Sequence, residues 1–274
     1  MKKVTIAIVL MLVLVFSTVG VASAVTDGEL DGDGHPQVVL LLMEVGGKPM
    51  YRCSATLLSP TVVLTAGHCT SNYPDEPYSG MRVFYESDVQ NGNNNYPYAG
   101  PNSVEAVSWA AHPLYETAPF FVHDVGVVIL QEPGIVLDAD KYGKLPTVDQ
   151  FDAFKTKRGQ QKVTFTSVGY GLQESFPTAA AWKENNSRTR YVAHPRLIQI
   201  NVPGFTGDFS LLLSNNANTG GTCFGDSGGP NFLGDSNVVA GVTSFGVNGN
   251  CAGTGGVFRM DRQDVLDFVN QYLQ

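Results

Sequence analysis

Short runs rich in β-branched and aromatic residues recur along the chain, separated by clusters of Gly, Pro, Asn and Asp. The clearest runs are Val38–Met43, Thr61–Thr65, Val125–Leu130, Lys162–Val168 and Val238–Phe245. Runs of about four to eight such residues, bounded by turn-forming residues, are typical of β-strands. The pattern therefore predicts an all-β fold.

Three other segments have different patterns. Arg262–Leu273 carries apolar residues at helical spacing with polar residues between them, which predicts an amphipathic C-terminal α-helix docked on the β-structure. The segments Gln90–Pro101 and Leu172–Ser187 show no periodicity, so we expect surface loops there.

The first residues have the three-part pattern of a secretory signal peptide. Lys2 and Lys3 precede the apolar run Val4–Val21, and the small residues Ala22–Ala24 follow it. We expect cleavage after Ala24, secretion, and a single mature domain over Val25–Gln274. The alternative is a retained membrane anchor, because the run is close to the length that spans a bilayer.

Charge and cysteine content narrow the function further. The net charge is −8 without a basic cluster, which argues against binding to nucleic acid or to an anionic membrane.

An even number of cysteines in an exported chain favours two disulfides, and the short separations make two local loops the simplest of three possible pairings. The cysteines are Cys53, Cys69, Cys223 and Cys251. No close Cys-x-x-Cys pair is present, so we expect neither a metal nor another cofactor.

The segment Cys223–Pro230 is the most informative for chemistry. It places Ser227 among glycines, where the hydroxyl is exposed and backbone amides can point at a reacting carbonyl oxygen. A Gly-rich turn is the simpler alternative. The segment also fits the Gly-x-Ser-x-Gly elbow of α/β hydrolases, but those enzymes need a histidine after the serine, and the last histidine, His194, precedes Ser227.

Two earlier segments supply a histidine and an acid. Leu64–Cys69 contains Thr-Ala-Gly-His-Cys, and His123–Leu130 contains Asp-Val-Gly-Val-Val-Ile-Leu. With Gly-Asp-Ser-Gly-Gly-Pro at Gly225–Pro230, these segments resemble, in order, the three motifs of the chymotrypsin and trypsin family of secreted serine peptidases.

The resemblance implies two antiparallel six-stranded β-barrels with an active site in the cleft between them. It implies disulfides Cys53–Cys69 and Cys223–Cys251, a protein or peptide substrate, and a monomer. It also implies that Ser227 is the nucleophile, His68 the general base and acid, and Asp124 the group that orients the imidazole. The backbone N–H groups of Gly225 and Ser227 would form the oxyanion hole.

The same resemblance implies a substrate pocket beside Ser227. Its expected residues are Gly221, Thr222, Ser244, Phe245, Gly246 and Gly256. Gly221 occupies the position where a trypsin-like enzyme carries aspartate, so we expect a neutral or apolar residue before the cut bond. The alternative is that Asp235 reaches into the pocket and restores a preference for Lys or Arg.

Activation by a new N-terminus is also implied. The family pairs the ammonium of a processed chain with the aspartate before the catalytic serine, which gives the pair Val25 and Asp226.

We expect His35, His112 and His194 to be structural or surface residues, and His123 to be excluded as the base because it adjoins Asp124 on a strand. A non-catalytic binding or adhesion protein of the same fold is the main competing function, and a glutamate-specific peptidase is a weaker one.

Overall fold

The computed structural model describes residues 25–71, 77–115, 119–155, 162–173 and 187–274. The expected signal peptide, residues 1–24, lies outside the described residues, as does most of the expected loop 172–187. Within the described ranges, no helix is long and apolar enough to cross a bilayer.

Six antiparallel strands of the first half close into a barrel in the order β2-β3-β4-β7-β6-β5. The strands are β2 (Val38–Val45), β3 (Lys48–Leu57), β4 (Val62–Thr65), β5 (Tyr78–Phe84), β6 (Ser103–Ala111) and β7 (Gly126–Leu130). The β2–β3 hairpin turns through Gly46 and Gly47, which both have positive φ as a two-residue hairpin loop requires. The first six residues of β2 are all buried, so both faces of this strand are covered.

The second half forms an eight-stranded sheet in the order β1-β9-β8-β12-β13-β14-β11-β10. Its strands are β1 (Glu29–Leu30), β8 (Phe165–Gly169), β9 (Tyr191–Ala193), β10 (Leu197–Val202), β11 (Gly207–Asn215), β12 (Pro230–Leu233), β13 (Val239–Gly246) and β14 (Gly253–Arg259). A bridge between Thr164 and Arg196 brings the start of β10 back to the start of β8, so the sheet curls into a half-barrel. The all-β, trypsin-like architecture is confirmed, although this half has eight strands rather than the six expected. One of the extra strands is β1, which the N-terminal segment adds at the edge of β9.

Four of the five expected strands agree with the structure to within a residue or two at either end, whereas β8 begins three residues later than expected. The C-terminal helix α1 (Gln263–Asn270) is shorter than predicted and buries Val265, Leu266, Phe268 and Val269. The Phe268 ring meets His112 of the first barrel at a centroid distance of 5.2 Å. Because α1 follows β14 in the chain but packs against the first barrel, it holds the two halves together.

The disulfides Cys53–Cys69 and Cys223–Cys251 are both present. The first links β3 to the turn after β4, and the second links the two loops that precede β12 and β14. Each disulfide therefore braces loops within its own half of the chain.

A buried arginine also joins the halves. Arg190 donates from Nε to Asp31 Oδ2 at 2.7 Å, from Nη1 to the Val38 carbonyl at 2.9 Å, and from Nη2 to the Gly32 carbonyl at 2.7 Å. Val38 begins β2 of the first barrel, while Arg190 directly precedes β9 of the second sheet. The guanidinium is thus engaged by groups from the N-terminal segment and from β2.

We expect Arg190→Met to lower the free energy of unfolding by about 3–5 kcal/mol, because Asp31 would keep a buried charge after losing one of its side-chain partners. The side chains of Arg190 and Asp31 are only 2% and 1% exposed. Urea denaturation in a Ser227→Ala background measures the change. The control is Arg196→Met, an exposed arginine, which should change the stability by less than about 0.5 kcal/mol; equal effects of the two substitutions would contradict the prediction.

Candidate active site

His68 lies on a short 3-10 helix, Gly67–Cys69, directly after β4. The disulfide partner of Cys69 is on β3, and the Tyr115 ring packs closely enough on Gly67 that a Cβ there would approach it to 3.0 Å. These contacts fix the backbone of His68, whose side chain is 23% exposed.

Asp124 is fully buried, two residues before β7, and receives three hydrogen bonds. The backbone N–H of His68 donates to Oδ1 at 2.8 Å, and His68 Nδ1 lies 3.0 Å from Oδ2. The Ser244 hydroxyl donates to Oδ2 at 2.5 Å. A buried carboxylate is costly unless it is paired and hydrogen-bonded, and these donors satisfy that requirement.

Ser244 reaches Asp124 because of a local irregularity in β13. The register with β14 shifts between Thr243 and Phe245, so Ser244 is the extra residue of a β-bulge. A bulge changes the direction of one side chain without ending the strand. The first barrel and the second sheet therefore meet at a single carboxylate.

Ser227 lies in the loop before β12, and two glycines shape that loop. Gly225 and Gly228 have φ values of +98° and +75°, which side chains with a Cβ rarely adopt. A Cβ on Gly228 would lie 2.0 Å from Thr65 Oγ1, so the loop packs tightly against β4. The Ser227 carbonyl accepts a hydrogen bond from the Ser54 N–H at 2.8 Å, which fixes the loop to β3.

Ser227 lines a cavity of about 310 Å³. Thr222, Ser244, Phe245 and Gly246, all expected in the pocket, line the same cavity. Ser244 thus lines the same cavity as Ser227 and also donates to Asp124, which His68 Nδ1 approaches to 3.0 Å.

Gly221 and Gly256 are not among the residues that line this cavity. Gly256 lies opposite Phe245 in the β13–β14 pair. A Cβ on Gly256 would lie 2.4 Å from the Phe245 ring, so Gly256 faces that ring. The neighbouring residue, Gly255, lines the cavity instead. The Gly221 N–H donates to the Thr26 carbonyl, and the Asn215 side chain covers Gly221.

Asn215 is a lining residue that the sequence did not reveal. It comes from the end of β11 and is held by Thr26 Oγ1 at 2.6 Å and by the Thr222 carbonyl at 2.8 Å. Asp235 is not part of the cavity lining and lies exposed in the turn between β12 and β13. Among the described residues, none that lines the cavity carries a titratable charge.

The expected activation pair consists of two buried residues. The side chain of Val25 packs with Tyr191 and Ala193. Asp226 is fully buried and accepts hydrogen bonds from the N–H groups of Gly171 at 2.8 Å and Cys223 at 2.9 Å. Burial nevertheless raises the pKa of Asp226 to about 7, so the backbone donors only partly compensate for desolvation.

His123 contacts other residues than the Asp124–His68 pair. Its ring stacks on His112 at 4.8 Å, and its Nδ1 lies 3.1 Å from Asp264 Oδ2 on α1. The expected reason, alternation along a strand, does not apply, because His123 has a φ of +54°. His35 stacks on Phe232, and His194 is 53% exposed at its side chain.

The family model for trypsin matches residues 31–268. The chain belongs to the trypsin family. Like other members of this family, it is a serine endopeptidase that acts on proteins or peptides.

Curated relatives and solved structures agree with this assignment to the trypsin family. The chain is 28% identical to brachyurin of Leptuca pugilator over 74% of this chain and 79% of that protein. It is 24% identical to a collagenase of Hypoderma lineatum, over 73% of this chain and 67% of that protein. It is 26% identical to kallikrein 1-related peptidase b21 of Mus musculus, over 72% of this chain and 70% of that protein. The fold resembles the solved structure of HL collagenase with a TM-score of 0.67 at 20% identity, covering 90% of this chain and 98% of the other.

The contacts of His68 give a testable shift. Burial by itself favours neutral imidazole, but the charge of Asp124 and its hydrogen bond outweigh burial and raise the pKa of His68 above 6.5. We expect Asp124→Asn to lower the pKa of His68. NMR titration in a Ser227→Ala background measures this pKa, and His68→Gln identifies the signal of His68. Asp264→Asn, which removes a carboxylate facing His123, is the control; an unchanged pKa in Asp124→Asn would contradict the prediction.

Asp226 gives a second prediction, for a chain that retains Ala24 before Val25. The folded-state pKa is about 7 against 3.8 for a free aspartate, so the favourable contribution present below pH 3.8 is lost as the pH rises through 7. We expect the stability relative to Asp226→Asn to fall by on the order of 3 kcal/mol between pH 4 and 7. Urea denaturation at several pH values measures the free energy of unfolding of both proteins. Asp235→Asn is the control. A difference in the free energy of unfolding that does not change with pH would refute the prediction.

Proposed function

We propose that this protein hydrolyses peptide bonds through a triad of Ser227, His68 and Asp124. The observation that carries the proposal is the buried carboxylate of Asp124. It accepts hydrogen bonds from His68 on one side and from Ser244 on the other, and Ser244 lines the same cavity as Ser227. Hydrogen bonding of Nδ1 to Asp124 leaves Nε2 as the nitrogen that accepts a proton.

The reaction then follows the general scheme of acyl transfer, for which the Ser-His-Asp triad is the standard template. The Ser227 hydroxyl adds to the substrate carbonyl carbon while His68 takes its proton. His68 returns the proton to the leaving amine, and water hydrolyses the acyl-enzyme by the same steps in reverse. The charge of Asp124 and its hydrogen bond raise the pKa of His68, which supports a role for Asp124 in stabilising the imidazolium formed during both steps.

The backbone N–H groups of Gly225 and Ser227 are the proposed oxyanion hole. Glycine at 225 supports this role, because its φ of +98° turns the peptide plane into an orientation that other residues rarely reach. Fixed backbone donors stabilise charge that develops in the transition state at no cost of reorganisation.

We further propose that a neutral or apolar side chain precedes the cut bond. The described residues that line the cavity beside Ser227 include Thr and Asn side chains, glycines and the Phe245 ring, and none of them is charged. A preference for Lys or Arg would need a buried carboxylate there, and a preference for Glu would need a cation. Phe, Tyr and Leu fit the size of the cavity.

Secretion and activation complete the proposal. Cleavage after Ala24 would produce an ammonium at Val25, which would neutralise the buried carboxylate of Asp226. The position of Thr26, whose carbonyl accepts from the Gly221 N–H at 3.0 Å, supports this, because it ties the new terminus to the loops of the second sheet. N-terminal sequencing of the secreted protein tests the cleavage site.

The decisive experiment compares the mature protein with Ser227→Ala on labelled casein, on peptides that differ in the residue before the cut bond, and with a fluorophosphonate probe. We expect casein cleavage, probe labelling, and faster hydrolysis after Phe, Tyr or Leu than after Lys, Arg or Glu. Ser227→Ala should lose labelling and lower kcat by at least about a thousandfold.

Cleavage confined to Lys and Arg would overturn the proposed specificity but leave the triad intact. A folded mature protein that neither cleaves nor labels would instead favour the non-catalytic binding function.

A further inference from the structure

A second cavity of about 530 Å³ adjoins the proposed active site on its other side. Phe224 lines both cavities, and Gly225, whose N–H belongs to the proposed oxyanion hole, lines this one. The other residues that matter here are Tyr51, Arg52, Tyr96 and Arg188. We call this cavity the arginine groove.

Two guanidinium groups share the arginine groove. Arg52 lies on β3, opposite Leu42 of β2. The guanidinium carbon of Arg188 lies 5.9 Å from the centre of the Tyr96 ring, and the Arg188 carbonyl accepts from the Val89 N–H at 2.8 Å. One arginine therefore comes from a barrel strand, and the other is held at the junction of the two halves.

The two positive charges are close enough to influence each other. Burial, followed by the charge of Arg188, lowers the pKa of Arg52. Among the described residues, none that lines the arginine groove is acidic, although the charge of the neighbouring Asp226 partly opposes the lowering of the Arg52 pKa and the whole chain has a net charge of −8. Like charges on one concave wall create a local positive potential that attracts an anion, and arginine binds a carboxylate through two parallel hydrogen bonds.

The position of the arginine groove decides which part of a substrate meets it. With the side chain before the cut bond in the cavity beside Ser227, the leaving segment must continue past Gly225. A Cβ on Gly225 would lie 3.5 Å from Arg52 Nε, so the arginines begin directly beyond the proposed oxyanion hole. An extended chain rises about 3.3 Å per residue, so three residues span about 10 Å from the cut bond.

We propose that the arginine groove selects substrates with Asp or Glu among the first three residues after the cut bond, with Arg52 and Arg188 binding the carboxylate. The inference rests on the proposed function, because it assigns the direction of the substrate from Ser227. It adds a substrate class on the leaving side, whereas the cavity beside Ser227 governs the residue before the bond.

The test uses fluorogenic peptides with one fixed residue before the cut bond and with Glu, Gln or Lys at each of the three following positions. We expect Glu at one or more positions to raise kcat/KM about tenfold over Lys, mainly through KM, with Gln between them. The preference should weaken at high salt, because screening reduces attraction between partly exposed charges.

Variants of Arg188 identify the residue responsible. Arg188→Gln should reduce the preference for Glu, Arg188→Lys should retain most of it, and Arg188→Glu should reverse it in favour of Lys. Arg196→Glu, the same charge change at an exposed arginine outside the groove lining, should leave the preference unchanged. Fluorophosphonate labelling of each variant establishes that its active site is folded.

Equal hydrolysis of the Glu, Gln and Lys peptides by the unsubstituted enzyme would overturn this inference and leave the proposed peptidase function standing. A preference for Glu that persists in Arg188→Glu would remove Arg188 from the site. Absence of both hydrolysis and labelling would instead be a failure of the proposed function, and the inference would fall with it.

Discussion

A buried carboxylate must find its hydrogen-bond donors within the fold, and Asp124 finds them on both sides of the cleft. His68 approaches from the first barrel, and Ser244 approaches from the bulge in β13 of the second sheet. Without either donor, the charge would lose much of the compensation for its desolvation. The relative position of the two halves and the geometry of the candidate active site therefore depend on the same three residues.

Other buried charges follow the same principle at the junction of the halves. Arg190 is satisfied by Asp31 and by backbone carbonyls from the N-terminal segment and β2. Asp226 is satisfied only in part, by two backbone N–H groups, and its pKa of about 7 reflects that deficit. A carboxylate in this state responds strongly to a nearby cation, and the proposed activation by a processed N-terminus rests on this response.

Much of the fold was predictable because its signals are local. Four expected strands match the observed ones closely, since β-branched residues between turn formers specify strands over a few residues. The start of β8 and the ends of α1 were less accurate, because the limits of an element depend on the neighbours against which it packs. His123 was excluded as a base for the wrong reason, since its backbone conformation is set by a turn rather than by a strand.

By itself the sequence determined the all-β class, the three motifs of the trypsin family and the candidate triad. Each strand signal and each motif is encoded in a short run of adjacent residues, and each motif contributes one residue of the candidate triad. Only the tertiary structure decided that Gly255 rather than Gly256 faces the cavity, that Asn215 lines it, and that Arg52 and Arg188 share one groove. These facts depend on strand register, where a shift of one residue reverses the direction of a side chain, and on packing between segments far apart in the chain.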